Sequence, residues 1–405
     1  MKAGWAMILC YAWTDTQIDN LIRIRKGIYP NQKVDLLIYK LSRVSNELIA
    51  AVQAEQIFDH VDILEMPEFY LERRRKGFSE KLEAVFLGRK YREYFGQQLS
   101  RLIGGREYSH FLTSAFWSES LLVIQYLKKC RRDIAITLYE EGLSAYNGPP
   151  NWLFQAVPAR SMKAKIRTVL YYGMTSFTYR KYVDGIYLYK PELSNVDYLE
   201  KRQIPLENNR IEIVDQDLKH FCDGEIEYVQ SDIIYIAEAP KRKDSQPLQD
   251  VERVLDMIFS VKEDAKVVVK AHPIMQYQNT VLDRRNHPKV HVDCRAEPIE
   301  RILMNIQIDD KVVITGNSSS ALYIKWVYGK SPYIILIINK RKKALKEYAQ
   351  HFIENYDAGK AYALNSEENL QELLKLILLK RETLDECDYN RKQNRDRAGN
   401  RGEIR

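Results

Sequence analysis

Residues 312–326 read Val-Val-Ile-Thr-Gly-Asn-Ser-Ser-Ser-Ala-Leu-Tyr-Ile-Lys-Trp. The first four residues are all β-branched and suit a buried strand. Gly316 then gives the turn, and Ala321-Leu322-Tyr323-Ile324-Lys325-Trp326 continues as a helix, so the stretch is a complete βα unit. Asn317, Ser318, Ser319 and Ser320 fall where N-cap hydroxyls and the free backbone N–H groups of a first helical turn converge. Such a terminus is a natural phosphate site. Its dipole contributes only about 0.3–1 kcal/mol at an exposed end, so hydroxyl and N–H hydrogen bonds must supply much of the grip.

The same alternation extends in both directions. Towards the N-terminus of this stretch, strands are predicted at Ile233–Ala237, Lys266–Lys270, Val290–Val292 and Lys311–Thr315, with Tyr333–Leu336 beyond it, and helices at Leu248–Ser260, Ile299–Asn305 and Ala321–Tyr328 between them. The first half repeats the grammar, with strands at Ala6–Tyr11, Val34–Tyr39, Val61–Glu65, His110–Thr113 and Ile134–Tyr139, and a helix at Ser118–Lys128. Strands alternating with helices make an α/β protein with parallel sheets. A chain of 405 residues exceeds what one core organises, so two domains are expected. Their predicted extents are 1–215 and 216–380, with a charged tail at 381–405 that lacks an apolar period.

Composition narrows the functional classes. Hydrophobic residues make up 45% and charged residues 29%, the balance of a folded globular protein. The five cysteines, Cys10, Cys130, Cys222, Cys294 and Cys387, are widely spaced and form no metal-ligand pattern, which suits reduced thiols in the cytosol. No apolar run reaches the roughly 20 residues that cross a bilayer, and Met1–Trp13 makes a poor signal peptide. A net charge of +7 favours anionic partners such as a nucleotide or the inner membrane surface. The basic clusters Arg73-Arg74-Arg75 and Lys340-Arg341-Lys342-Lys343 come without a nucleic-acid motif, so nucleic acid is not an expected partner.

Two further strand exits carry chemistry. Leu138-Tyr139-Glu140-Glu141-Gly142 runs from a strand into two adjacent carboxylates. Neighbouring carboxylates resist being ionised together, which suits one of them to take up a proton near neutrality. Gly142 permits the turn that presents them. Val267-Val268-Val269-Lys270-Ala271-His272-Pro273 ends a strand at a histidine, with the proline stopping further pairing. A protonated histidine there can neutralise a phosphate as it departs.

The order of the three motifs resembles the bacterial sialyltransferases and polysialyltransferases built from two Rossmann-like domains. Those families carry a D/E-D/E-G motif, an HP motif and a serine-rich motif. Glu140-Glu141-Gly142, His272-Pro273 and Ser318-Ser319-Ser320 match them, within roughly residues 135–325. The resemblance implies a GT-B architecture, with two parallel sheets facing a central cleft, and an inverting transfer of sialic acid from CMP-sialic acid to a glycan or glycolipid acceptor. Carried over by position, Glu141 or Glu140 deprotonates the acceptor hydroxyl. His272 assists departure of CMP, the serines hold its phosphate, and Glu300, within Pro298-Ile299-Glu300, binds the ribose. The acidic pair here is Glu-Glu, so the choice of base stays open. No DxD-type element lies beside the phosphate site, and catalysis without a metal or other cofactor is expected.

Other readings share parts of this pattern. Kdo transferases also use CMP donors, a UDP-sugar 2-epimerase can use a Gly-Asn-Ser-Ser-Ser stretch for phosphate, and a CDP-alcohol phosphotransferase suits His-Pro with a serine-rich helix start. A membrane-surface scaffold that kept the fold and lost activity is the non-enzymatic alternative. Tyr146, Asn147 and Trp152 follow the acidic motif and are expected to border the acceptor, while Trp117 and Trp326 are further candidates for sugar stacking.

Overall fold

The computed structural model describes residues 7–40, 44–65, 80–114, 118–142, 145–146, 183–197, 199–206, 226–237, 246–271, 287–295, 297–304, 306–316, 318, 320–338, 352–357, 359–365 and 369–379. The chain divides into two compact units, Met1–Leu218 and Lys219–Arg405. Each is built around one parallel sheet.

In the first unit the strands are β1 (Met7–Ala12), β2 (Val34–Lys40), β3 (His60–Glu65), β4 (Tyr108–Thr113), β5 (Ala135–Tyr139), β6 (Val183–Leu188) and β7 (Glu200–Gln203). They pair in the order β3-β2-β1-β4-β5-β6-β7, every pair parallel. Helices α1 (Asp15–Gly27), α2 (Asn46–Ala54), α3 (Glu80–Ile103) and α4 (Ser118–Cys130) connect successive strands. In the second unit β8 (Ile233–Ile236), β9 (Val267–Lys270), β10 (Val290–Asp293), β11 (Val312–Thr315), β12 (Tyr333–Ile337) and β13 (Ala361–Leu364) pair as β10-β9-β8-β11-β12-β13, again all parallel. Here α5 (Gln246–Val261), α6 (Ile299–Leu303) and α7 (Ser320–Tyr328) are the connecting helices. Both orders share the reversal of a doubly wound Rossmann-like sheet, between β1 and β4 in one and β8 and β11 in the other.

A parallel sheet covered on both faces must be apolar on both, and the central strands obey this. Every residue of β8, β9, β11 and β12 is buried. Ile233, Val267, Val269, Val312, Ile314 and Ile335 meet Val254, Leu255 and Ile258 of α5 and Leu370, Leu374 and Ile377 in one core. Cys10 of β1 is a buried free thiol, and burial pushes its proton affinity up.

Helix starts follow local chemistry. Thr14 caps α1 by accepting from the Gln17 N–H, and Ser45 caps α2 by accepting from the Leu48 N–H. At the amino ends of the strands, buried Asp35 accepts from the Tyr108 hydroxyl at 2.6 Å and Arg106 at 2.7 Å, and pairs with His60 at 3.0 Å. This staple joins β2, β3 and β4 on the edge away from their carboxyl ends.

Three strands go beyond the sequence reading. Strand β7 reads Glu-Lys-Arg-Gln at the rim of its sheet, so it has no apolar residue to signal it. Strand β6 begins Val-Asp-Gly, a weak strand pattern. The glycine is required there because a Cβ on Gly185 would lie 2.9 Å from the Glu200 carbonyl oxygen. Strand β13, Ala-Tyr-Ala-Leu, is short and only partly buried at the other rim. Among the described residues no helix is long and apolar enough to cross a membrane.

Candidate functional site

In an open parallel sheet the ligand crevice lies beyond the carboxyl ends of the strands, at the point where strand order reverses. In the first unit that point is between the exits of β1 and β4, next to the exit of β5. Strand β5 ends at Tyr139, so Glu140 and Glu141 emerge on this edge. Gly142 follows with φ 110°, a conformation that favours glycine and turns the chain away.

The two glutamates are held differently. Glu140 is 0% exposed. Its Oε2 accepts from the Tyr146 hydroxyl at 2.5 Å and the Tyr189 N–H at 2.8 Å. Its carbonyl accepts from Asn20 Nδ2 of α1 at 2.9 Å, and Asn20 Oδ1 in turn accepts from the Tyr189 hydroxyl at 2.5 Å. Burial, and then the charge of Glu140, hold the Tyr146 hydroxyl far above the ordinary phenol range, so it stays a donor. Tyr146, expected to border the acceptor, is thus a fully buried partner of Glu140. Its hydroxyl is spent on the neighbouring carboxylate.

Glu141 turns towards β4 and is partly exposed. Its Oε2 accepts from the Ser114 hydroxyl, just past β4, at 2.9 Å. Ser114 accepts from Gln17 Nε2 of α1 at 3.0 Å, and Gln17 Oε1 accepts from the Trp13 N–H at 2.8 Å. Ser114, Gln17, Asn20 and Tyr189 went unnoticed in the sequence. The one legible signal was Thr14-x-x-Gln17, a capping-box spacing directly after β1. Close by, desolvation raises the carboxyl of Glu119, in the first turn of α4, although Tyr91 donates to it at 3.0 Å.

In the second unit order reverses between β8 and β11, and the serine-rich segment leaves β11 at that point. The Thr315 hydroxyl donates to the Ile236 carbonyl at 3.2 Å, tying the two strand ends together. Gly316, Ser318 and Ser320 are partly exposed, and the Ser320 N–H donates to the Ser318 hydroxyl at 3.3 Å at the start of α7. Strand β9 ends at Lys270 on the same edge, and Ala271 is the last described residue before the HP motif in the sequence. His272, Pro273, Asn317 and Ser319 themselves lie outside the described residues, as do Asn147, Trp152, Trp117 and the 381–405 tail. Glu300 is the second residue of α6, partly exposed, and follows the exit of β10. Trp326 is 7% exposed and packs at 4.7 Å from Phe352, so it is a core residue and no sugar platform.

An ionic cluster that the sequence reading missed closes this edge. Lys270 donates to the Arg295 carbonyl at 2.5 Å and lies 3.5 Å from Asp293. Arg295 reaches both Asp293 oxygens at 3.0 Å, and the Tyr228 hydroxyl donates to the same carboxylate at 2.8 Å. Burial works to raise the Asp293 carboxyl, but Arg295 and Lys270 outweigh it and hold it at about 2. Desolvation lowers the Lys270 ammonium against the pull of Asp293.

No family model and no curated protein matches this sequence. Solved structures do match. TcCGT1 in complex with UDP superposes with a TM-score of 0.54 at 9% identity, over 94% of this chain and 92% of that one. A UDP-glucosyltransferase from Polygonum tinctorium capable of glucosylating indoxyl gives 0.50 at 11% identity, over 95% and 94%. The fold is that of the GT-B glycosyltransferases. The expected pair of Rossmann-like parallel-sheet domains is therefore present, with seven and six strands.

Proposed function

We propose that this chain is an inverting glycosyltransferase that moves an acidic sugar, sialic acid in the leading reading, from its CMP-activated donor to a hydroxyl of a glycan or glycolipid. The observation that carries the proposal is the partly exposed Glu141, its carboxylate held by Ser114 at the exit of β5 beside the reversal of the first sheet. Glu141 accepts the acceptor's hydroxyl proton as that oxygen bonds to the anomeric carbon and the bond from that carbon to the CMP phosphate breaks. Glu140 holds the turn from within. On the nucleotide side the departing phosphate takes its proton or neutralising charge from His272. It is received by the serine-rich segment Gly316, Asn317, Ser318, Ser319 and Ser320, which runs into α7, while Pro273 follows His272 in the chain and Glu300 takes the ribose. Charge neutralisation by these groups makes a metal unnecessary.

CMP release from CMP-sialic acid and from CMP-Kdo, with and without galactoside and sialoside acceptors, tests the reading. Acceptor-dependent release from one donor that is lost in Glu141→Gln and His272→Ala supports it and names the sugar. Turnover of a UDP-sugar or a CDP-alcohol, with neither CMP-sugar consumed, overturns it.

A further inference from the structure

We infer that Gln17 and Ser114 are positioning residues that orient the Glu141 carboxylate through a hydrogen-bond relay with one allowed direction. The inference rests on the reading of Glu141 as the base and extends it to residues that touch no substrate.

The relay starts from backbone geometry. Thr14 is the N-cap of α1, and Gln17 is the third residue of that helix. The Gln17 N–H donates to the Thr14 hydroxyl at 3.3 Å, while the Gln17 side chain reaches back to the Trp13 N–H at 2.8 Å. This is a reciprocal cap of the Thr-x-x-Gln type, displaced by one residue. A backbone N–H can only donate, so the atom facing it must be the amide oxygen Oε1. The Nε2 end then has to face Ser114, 3.0 Å away. An amide nitrogen likewise only donates, so Ser114 Oγ spends a lone pair on it and aims its single proton elsewhere. Glu141 Oε2 lies 2.9 Å away to receive it. Neighbouring Tyr139 gives its own proton to the Tyr11 carbonyl at 2.6 Å, so towards Ser114 it can only accept, as a second acceptor beside Glu141.

Gln17 is 1% and Ser114 2% exposed, so water does not scramble these roles. The relay also bridges the exits of β1 and β4, the two strands between which the order reverses. The exits of these two strands are thereby coupled to the partly exposed carboxylate of Glu141.

Ser114→Ala, Ser114→Thr, Gln17→Leu and Gln17→Glu test the assignment in steady-state kinetics of transfer, alongside crystal structures of the parent, Ser114→Ala and Ser114→Thr. Ser114→Ala and Gln17→Leu are expected to lower kcat about 10- to 100-fold with KM for the CMP-sugar nearly unchanged, the cost of a misplaced reacting group. Ser114→Thr keeps the hydroxyl and is expected to restore kcat to within about threefold. Gln17→Glu keeps the acceptor for the Trp13 N–H but cannot donate, so Ser114 turns its proton away from Glu141 and kcat falls as in Ser114→Ala. In the crystals Glu141 holds one orientation in the parent and Ser114→Thr and loses it in Ser114→Ala. An unchanged Glu141 orientation in Ser114→Ala, or a Ser114→Ala kcat equal to that of the parent, overturns the relay. A parent that turns over no CMP-sugar sinks the transferase reading instead, while the crystal structures still decide whether the relay orients Glu141.

Discussion

The carboxyl edges of the two sheets solve the same problem with different chemistry. Among the described residues the supports on the β4-β5-β6 edge are neutral: tyrosine hydroxyls, amides, a serine and backbone N–H groups converge on two glutamates. On the β9-β10 edge the supports are charged, with Lys270 and Arg295 around Asp293. Neutral donors direct a carboxylate without neutralising it, so Glu141 keeps its capacity to accept a proton. There Lys270 and Arg295 are balanced by Asp293 and Glu297, so the cluster ties the exits of β9 and β10 together through compensated charges. The first edge leaves one carboxylate partly exposed, as the proposed base requires, while the second holds its ions in a self-compensated cluster.

Breaking the neutral edge at its outward carboxylate should have the largest effect. Glu141→Gln is expected to lower the rate of acceptor-dependent CMP release about 10²- to 10⁴-fold, the usual worth of a general base, while a urea titration shifts by less than about 0.5 kcal/mol. Breaking the same edge at its inward carboxylate should instead cost stability. Glu140→Ala strands the Tyr146 hydroxyl and the Tyr189 N–H in a dry site. Unfolding free energy should drop by about 2–5 kcal/mol in urea. If the two substitutions behaved alike, the contrast between the glutamates would be lost.

The ionic edge carries a pH signature of its own. Asp293 binds its proton more weakly in the folded unit than in the unfolded chain, where its value is near 3.8. Its contribution is therefore present above about pH 4 and is lost as pH falls towards 2. At roughly 1.4 kcal/mol per tenfold change in proton affinity, it amounts to about 1–2 kcal/mol once partial solvent access is allowed for. The stability gap between the parent and Asp293→Asn, followed by urea unfolding, should narrow between pH 4 and pH 2. A gap that stays constant would show that the cluster acts by shape alone. The smallest expected change lies at the exit of β2. Ser45→Ala removes the cap of α2 and should cost about 1 kcal/mol in the same assay with no loss of transfer.

The alternation of β-branched runs with helical stretches made the α/β class and the parallel sheets readable, because strands buried on both faces must be apolar throughout. The rim strands escaped for the complementary reason: β7, Glu-Lys-Arg-Gln, is held by backbone pairing to β6 and needs no apolar side chain. Glu140, Glu141 and Gly142 were readable as a pair and a turn because strand, carboxylates and glycine are contiguous. The links of Ser114 and Gln17 to Glu141 were not, since they lie 27 and 124 positions from it in the chain, and the Thr14-x-x-Gln17 spacing signals only a helix cap.

By itself the sequence determined where strands end and which reactive side chains leave those ends, because both depend on neighbours within a few residues. Which of two adjacent glutamates faces out was decided only by tertiary structure. Side chains next to one another in the chain leave β5 towards different neighbours, and here β6 and Tyr146 claim Glu140 while β4 and α1 claim Glu141. The direction of a hydrogen bond depends on every group within reach, and those groups are brought together by the order of the strands.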